Sequence, residues 1–258
     1  MMMIDFHTHI LHGIDDGPQS LEGSLQMARV AVADGTRTMV ATPHTPGMGN
    51  YRAETVLAHL DELREALKQE HIPLEVLPGS EIFYDANLPA RLDDGEYLTC
   101  NRGRTVLVEC PIHDYLPSGF EQMAFDLQLA GYRVVLAHPE RITDVQEDPN
   151  VLIPMIERGV LMQLTSQALT GEQGPKMQQL AETLVTHRLV HIIASDAHGP
   201  TYRPPKLSSA REIAAGLIGA EAAAALVEDN PGDLVHDRMP ANLPVPQEVP
   251  RKRRWWVL

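Results

Sequence analysis

Seven short apolar runs recur along this chain with amphipathic stretches between them, the alternation expected of a parallel sheet built from strand–helix units. The runs cover residues 4–6, 38–42, 75–79, 105–109, 134–137, 160–165 and 191–195. Between the first two, Leu21, Leu25, Ala28 and Val32 repeat at helical spacing, and Val56, Leu60, Leu63 and Leu67 do the same before the third. Each such helix offers one apolar stripe to a sheet. Ser20 is the expected N-cap of the first helix and Gly35 its stop. Further helices are expected over 120–130, 176–187, 208–216 and 220–229. At 258 residues with 43% hydrophobic content the chain can bury one sizeable core, and α/β barrels of this length form single domains.

From about Pro231 the periodicity fades into Pro240, Pro244, Pro246 and Pro250, followed by Arg251-Lys252-Arg253-Arg254-Trp255-Trp256. A barrel over 1–235 and a flexible Pro-rich, basic tail over 236–258 are therefore expected. The tail reads as a solvated end, or as a contact with anionic lipid or an acidic partner, since basic residues beside Trp suit an interface. Lys and Arg number 21 against 35 Asp and Glu, a formal charge of -14, which argues against a nucleic-acid partner. A phosphate monoester remains open, because bound cations reverse the local sign. The two cysteines, Cys100 and Cys110, form no disulfide framework, and the start Met-Met-Met-Ile-Asp-Phe-His lacks the regions of an export signal. With no apolar run long enough to span a bilayer, a cytoplasmic location is expected.

The ionisable residues fall where the strands stop. His7 and His9 follow the first strand, His44 the second and Glu81 the third; Glu109 ends the fourth, His138 follows the fifth, and Asp196 and His198 follow the seventh. In a parallel barrel these positions share the C-terminal rim, where barrel enzymes build their sites. A His beside one strand has an ordinary structural explanation. Six of seven strands ending this way do not, and five imidazoles with several carboxylates exceed what one Zn, Mn or Fe ion needs. A metal cluster is the reading. His59, His71 and His187 lie on or after helices as surface residues, and His113, His191 and His236 carry no comparable signal.

His7-Thr8-His9, Asp15-Asp16-Gly17, Ala41-Thr42-Pro43-His44, Gly79-Ser80-Glu81, His138-Pro139-Glu140-Arg141 and Ala194-Ser195-Asp196-Ala197-His198 together resemble the PHP superfamily of metal phosphoesterases. More narrowly, the chain resembles the bacterial capsule and exopolysaccharide tyrosine-protein phosphatases of the CpsB/CapC type, from about Ile4 to Asp233. The resemblance implies a distorted TIM-like (β/α)7 barrel and three divalent metal ions, manganese foremost with iron or zinc as alternatives. It gives one metal His7, His9, Glu81 and Asp196; a second shares Glu81 and adds Glu109 and His138; the third takes Asp16, His44 and His198. Two departures from the pattern, His12 for the usual Pro and Thr45 for the usual His, are expected to border the substrate pocket.

Arg141 lies three residues past His138 and Arg203 five past His198, which tethers both to ligands. A guanidinium fork matches two phosphate oxygens, and the resemblance also gives both arginines a phosphate-binding role. Cysteine phosphatases need an Arg six positions after the Cys, whereas Cys100 is followed there by Val106 and Cys110 by Leu116. Metal-activated water is the expected nucleophile. The resemblance implies hydrolysis of phosphotyrosine on a protein, a tyrosine kinase regulating polysaccharide export. The alternatives are a PHP phosphatase of a small ester such as histidinol phosphate and, more distantly, a metal-free binding module.

Overall fold

The computed structural model describes residues 2–45 and 51–250. Its strands are β1 (Met3–Thr8), β2 (Thr36–Ala41), β3 (Glu75–Pro78), β4 (Glu81–Phe83), β5 (Thr105–Glu109), β6 (Arg133–Ala137), β7 (Leu161–Thr165) and β8 (Ile192–Ala194). Every pairing is parallel, in a sheet β1-β2-β3 and a sheet β4-β5-β6-β7-β8. Two isolated parallel bridges join the sheets, Thr8 with Ala197 and His44 with Glu81. The result is a distorted TIM-like barrel whose ladder is thin at both seams.

All seven expected strands form, the third as β3, and past Gly79-Ser80 the chain enters β4, an eighth strand the pattern did not show. Past this turn Thr45 N–H donates to the Glu81 carbonyl at 3.1 Å and Glu81 N–H to the Pro43 carbonyl at 3.1 Å, so the end of β2 pairs with β4. Gly79 makes the crossing possible. A Cβ there would meet Val40 Cγ1 at 2.8 Å.

Two apolar layers follow from the two-residue period of the strands. Val106 and Val108 of β5, Val134 and Leu136 of β6, and Met162 and Leu164 of β7 point outward to the helices. Leu107, Val135, Ala137, Leu161, Ile192 and Ala194 point inward, and Leu234 and Val235 of the helix Asp229–Val235 close that inner layer. Two residues on from Leu107 stands Glu109, and two on from Ala194 stands Asp196. The inner face thus turns from apolar to acidic along β5 and just past β8.

The first helix, α1 (Leu21–Asp34), begins at Ser20, whose side chain accepts from Gly23 N–H at 3.2 Å, and stops at Gly35 with φ 104°. The second, α2 (Ala53–Gln69), buries Val56, Leu60, Leu63 and Leu67 as its spacing requires. Helices at Phe120–Leu129, Pro175–Thr186, Ser208–Ile218 and Ala220–Val227 match the remaining expectations, while Leu88–Asp93 and Asp229–Val235 were too short or too Pro-interrupted to signal themselves. The described part of the tail differs from the flexible end expected. Gln247 N–H donates to the His187 carbonyl at 2.9 Å, and Val249 exchanges two hydrogen bonds with the Asn150 side chain at 2.8 and 3.0 Å. Proline prevents a regular ladder there without preventing packing. The Arg251–Trp256 run lies outside the described residues.

Candidate metal centre

All nine sequence-derived ligands converge at the C-terminal rim. Glu81 lies at their middle: its Oε2 is 3.2 Å from His7 Nε2, 3.2 Å from His9 Nε2 and 3.0 Å from His44 Nδ1, while Oε1 is 2.7 Å from His138 Nε2. Asp196 Oδ1 stands 3.4 Å from His7 Nε2 and 3.3 Å from His9 Nε2. Glu109 approaches His44 Nδ1 at 3.5 Å and His138 Nε2 at 3.7 Å. Asp16 Oδ1 is 3.2 Å from His198 Nε2 and 3.6 Å from His44 Nε2. Three overlapping groups bring potential ligand atoms within 4.8 Å of one another: His7, His9, Glu81 and Asp196; His44, Glu81 and Glu109; His9, Asp16, His44 and His198. The first is the set the resemblance implied. The second has His44 in place of the implied His138, which stands 2.7 Å from Glu81 and 3.7 Å from Glu109 without joining the group, and the third adds His9 to the implied Asp16, His44 and His198.

These contacts fit cations better than they fit one another. The buried oxygens Glu81 Oε2 and Glu109 Oε2 have no hydrogen-bond partner although imidazole nitrogens surround them. Such orphaned acceptors are costly unless a cation satisfies them. Electrostatics points the same way. Burial alone would push Glu81 up, but His7, His138 and His44 hold it well below the usual carboxylate range. Against burial, Glu109 and Glu81 raise His44 to about 10. A hydrogen bond from His198 leads in taking Asp16 down to about 2. Protons on imidazole here occupy the role of positive charge that divalent ions would fill.

Outer partners fix the rings, and the sequence reading missed them. His9 Nδ1 meets Asp15 Oδ2 at 2.7 Å, and the same oxygen accepts from His44 N–H at 3.0 Å. His7 Nδ1 meets Gln163 Oε1 at 2.9 Å, and His198 Nδ1 donates to the Asp196 carbonyl at 2.9 Å. The three ring bonds, of His7, His9 and His198, leave Nε2 directed at the centre, the usual arrangement of metal-ligating histidine. The strand that ended in no ligand, β7, therefore contributes through Gln163. Only the pair Asp15-Asp16 carried any sequence signal of this kind.

Both arginines reach the same atom. Arg141 Nη2 is 2.8 Å from Asp196 Oδ2, and Arg203 Nη2 also contacts Asp196 Oδ2. His138 (φ 33°), Asp196 (φ 50°) and Arg203 (φ 48°) all adopt left-handed backbone, a strained choice for side chains of this kind that clusters at functional sites. The two departures are engaged elsewhere. Thr45 Oγ1 accepts from Phe83 N–H at 3.1 Å, and His12 faces α2. Cys100 and Cys110 are buried free thiols, raised far above their ordinary value by burial, and so unsuited to act as thiolates.

The family model for capsular polysaccharide synthesis proteins CpsB/CapC matches residues 3–236. The chain belongs to the CpsB/CapC family. Tyrosine-protein phosphatase YwqE of Bacillus subtilis is 38% identical over 229 residues, covering 88% of this chain and 89% of that protein. Tyrosine-protein phosphatase CpsB of Streptococcus pneumoniae is 30% identical over 246 residues, covering 92% of this chain and all of its own. Among solved structures, one from work on YwqE and CpsB, described as unique metal-dependent tyrosine phosphatases, superposes with a TM-score of 0.91 at 36% identity, covering 96% of this chain and 100% of that one. The histidinol phosphate phosphatase of Lactococcus lactis has a TM-score of 0.56 at 15% identity, which shows a shared fold and no more.

Proposed function

We propose that this CpsB/CapC chain hydrolyses phosphotyrosine on a protein, with three divalent cations, manganese foremost and iron or zinc able to serve, held by the nine rim ligands. The observation that carries the reading is Glu81. One buried carboxylate lies within 3.2 Å of four imidazoles from the ends of three strands, with one oxygen left without a hydrogen bond. His7, His9, Glu81 and Asp196 would hold one ion, Glu81, Glu109 and His138 a second, and Asp16, His44 and His198 a third. When bound, such ions generate a nucleophile from water near neutral pH and neutralise phosphoryl charge.

The chain's own groups supply the rest. Asp15 and Gln163 hold His9 and His7 in the tautomer whose Nε2 is free to bind. Arg141 and Arg203 converge on one side of the cluster, where two guanidinium groups orient a phosphoryl group and take up charge as it develops. Beyond them opens a cavity of about 580 Å³ lined by Ile112, His113, Met177 and Tyr202 as well as both arginines. Ile112, Met177, Tyr202 and Pro204 in its otherwise polar lining offer surfaces for an aromatic ring, and it is open to the surface, which lets a polypeptide run away on either side. Ile112 and Tyr202 of this lining are exposed. A tyrosine kinase governing capsule or exopolysaccharide synthesis is the substrate this reading favours, by analogy with the relatives' family. Among the described residues no helix is long and apolar enough to cross a membrane.

A side-by-side assay tests it. At matched metal loading, kcat/KM for a phosphotyrosyl peptide should exceed that for histidinol phosphate by orders of magnitude. The reverse order would assign the site to a small ester.

A further inference from the structure

Outside the rim cluster, one other group among the described residues brings His and carboxylate ligand atoms within 4.8 Å of one another: His12, His59 and Glu62. His12 stands in the loop after β1. His59 and Glu62 are three apart on α2 and so share one face of it. The His12 and His59 rings lie with centroids 4.6 Å apart, and His12 Nε2 is 3.5 Å from Glu62 Oε2. That spacing is close to the roughly 3.4 Å edge of a tetrahedron built with zinc–nitrogen bonds of about 2 Å.

Two features separate this group from a surface ion pair. His59 Nδ1 meets the His12 carbonyl oxygen at 2.8 Å, and since a carbonyl can only accept, the proton sits on Nδ1 and the Nε2 lone pair of the neutral ring is free. This is the backbone-carbonyl anchor found behind metal-ligating histidines. His12 Nδ1, in turn, is buried and has no hydrogen-bond partner. Burial, with the neighbouring His59, lowers the His12 pKa, which keeps the ring in the neutral form that coordinates.

We propose that His12, His59 and Glu62 form a separate site for a single transition-metal ion of the zinc type, distinct from the rim cluster. Two imidazoles and one carboxylate with an open fourth position suit such an ion. An ion there ties the loop after β1 to α2. That loop continues into Asp15 and Asp16, so the accessory ion restrains the segment that carries a rim ligand and the anchor of His9.

The test is zinc uptake by the intact protein after its cluster has been loaded with manganese, with wild type, His59→Gln and Glu62→Gln dialysed against the same free Zn²⁺. Glu62 is an exposed side chain, so its replacement leaves the core untouched. Any exchange of zinc into the cluster is common to all three proteins and cancels in the difference. Wild type should take up one zinc per chain more than either variant, and half-saturation of that ion should need at least about 10-fold more zinc in the variants, the lower end of what losing even an outer partner costs. Equal zinc uptake by all three proteins at every free concentration would overturn the site.

Discussion

In the proposed site Asp196 connects the ion-binding group to the two arginines. Its Oδ1 faces His7 and His9, and its Oδ2 holds both guanidinium groups, so Arg141 and Arg203 are poised at one point rather than spread along the rim. Replacing either with Ala should cost about 10²–10³ in kcat, the scale for losing one charge-stabilising donor. Lys should rescue only in part, because an ammonium lacks the bidentate fork. Since both arginines share one carboxylate oxygen, the double Ala variant should fall well short of the product of the single losses. Steady-state kinetics of the four proteins at equal metal content checks this, and wild-type turnover in both single variants would reduce the arginines to loop residues. The convergence of His7, His9, His44, Glu109, His138, Asp196 and His198 was legible because each stands at or just past a strand end, and strand ends share one rim whatever the details of packing, whereas Asp16 came from the resemblance alone. Gln163 was not, because a neutral amide inside an apolar strand carries no mark of the His7 Nδ1 it will meet across the barrel.

At the level of elements, the barrel is least regular where it is chemically busiest. The sequence pattern revealed seven strands but missed β4, since Gly79 and Ser80 read as the end of the third; the turn at Gly79-Ser80 lets the tip of β2 reach β4 and brings His44 to Glu81. Gly79→Ala should therefore push against Val40, destabilising the fold by about 1–3 kcal/mol as overpacking does, and lower metal content with it. Denaturant unfolding together with metal analysis reads both effects, and an unchanged midpoint with full metal would contradict the account. The last strand pair of the larger sheet, β7 with β8, carries a pH-sensitive joint. Met162 N–H donates to His191 Nδ1 at 3.0 Å, tying the start of β8 to β7, and burial lowers the His191 pKa to about 4. The fold thus favours the neutral ring, while the unfolded chain takes up a proton near pH 6.5. Stability associated with His191 is complete above that pH and is lost as pH falls toward 4, by about 3 kcal/mol. His191→Gln, whose amide oxygen can still accept the Met162 N–H, should show a flatter loss between pH 7 and pH 4 in urea unfolding; parallel curves would refute the assignment. Nothing in the sequence marked His191, because its role comes from being buried, not from neighbours along the chain.

For the molecule as a whole, the formal charge of -14 and the gathering of four carboxylates at one rim describe a protein that needs cations more than it repels phosphate. Without ions, raised imidazoles such as His44 supply the missing positive charge, so ion binding should displace protons. The apolar inner layer below the rim gives the cluster a rigid floor, and the described tail, pinned at His187 and Asn150, belongs to the same body. The most direct test of the central claim is to strip the protein of metal, add Mn²⁺ back in steps, and follow phosphotyrosyl-peptide hydrolysis against bound ions per chain. The account predicts no measurable turnover without metal, a rise that saturates as the three groups fill, and a Glu81→Gln variant that neither fills them nor turns over. Peptide hydrolysis by the stripped protein at the rate of the loaded one would contradict it.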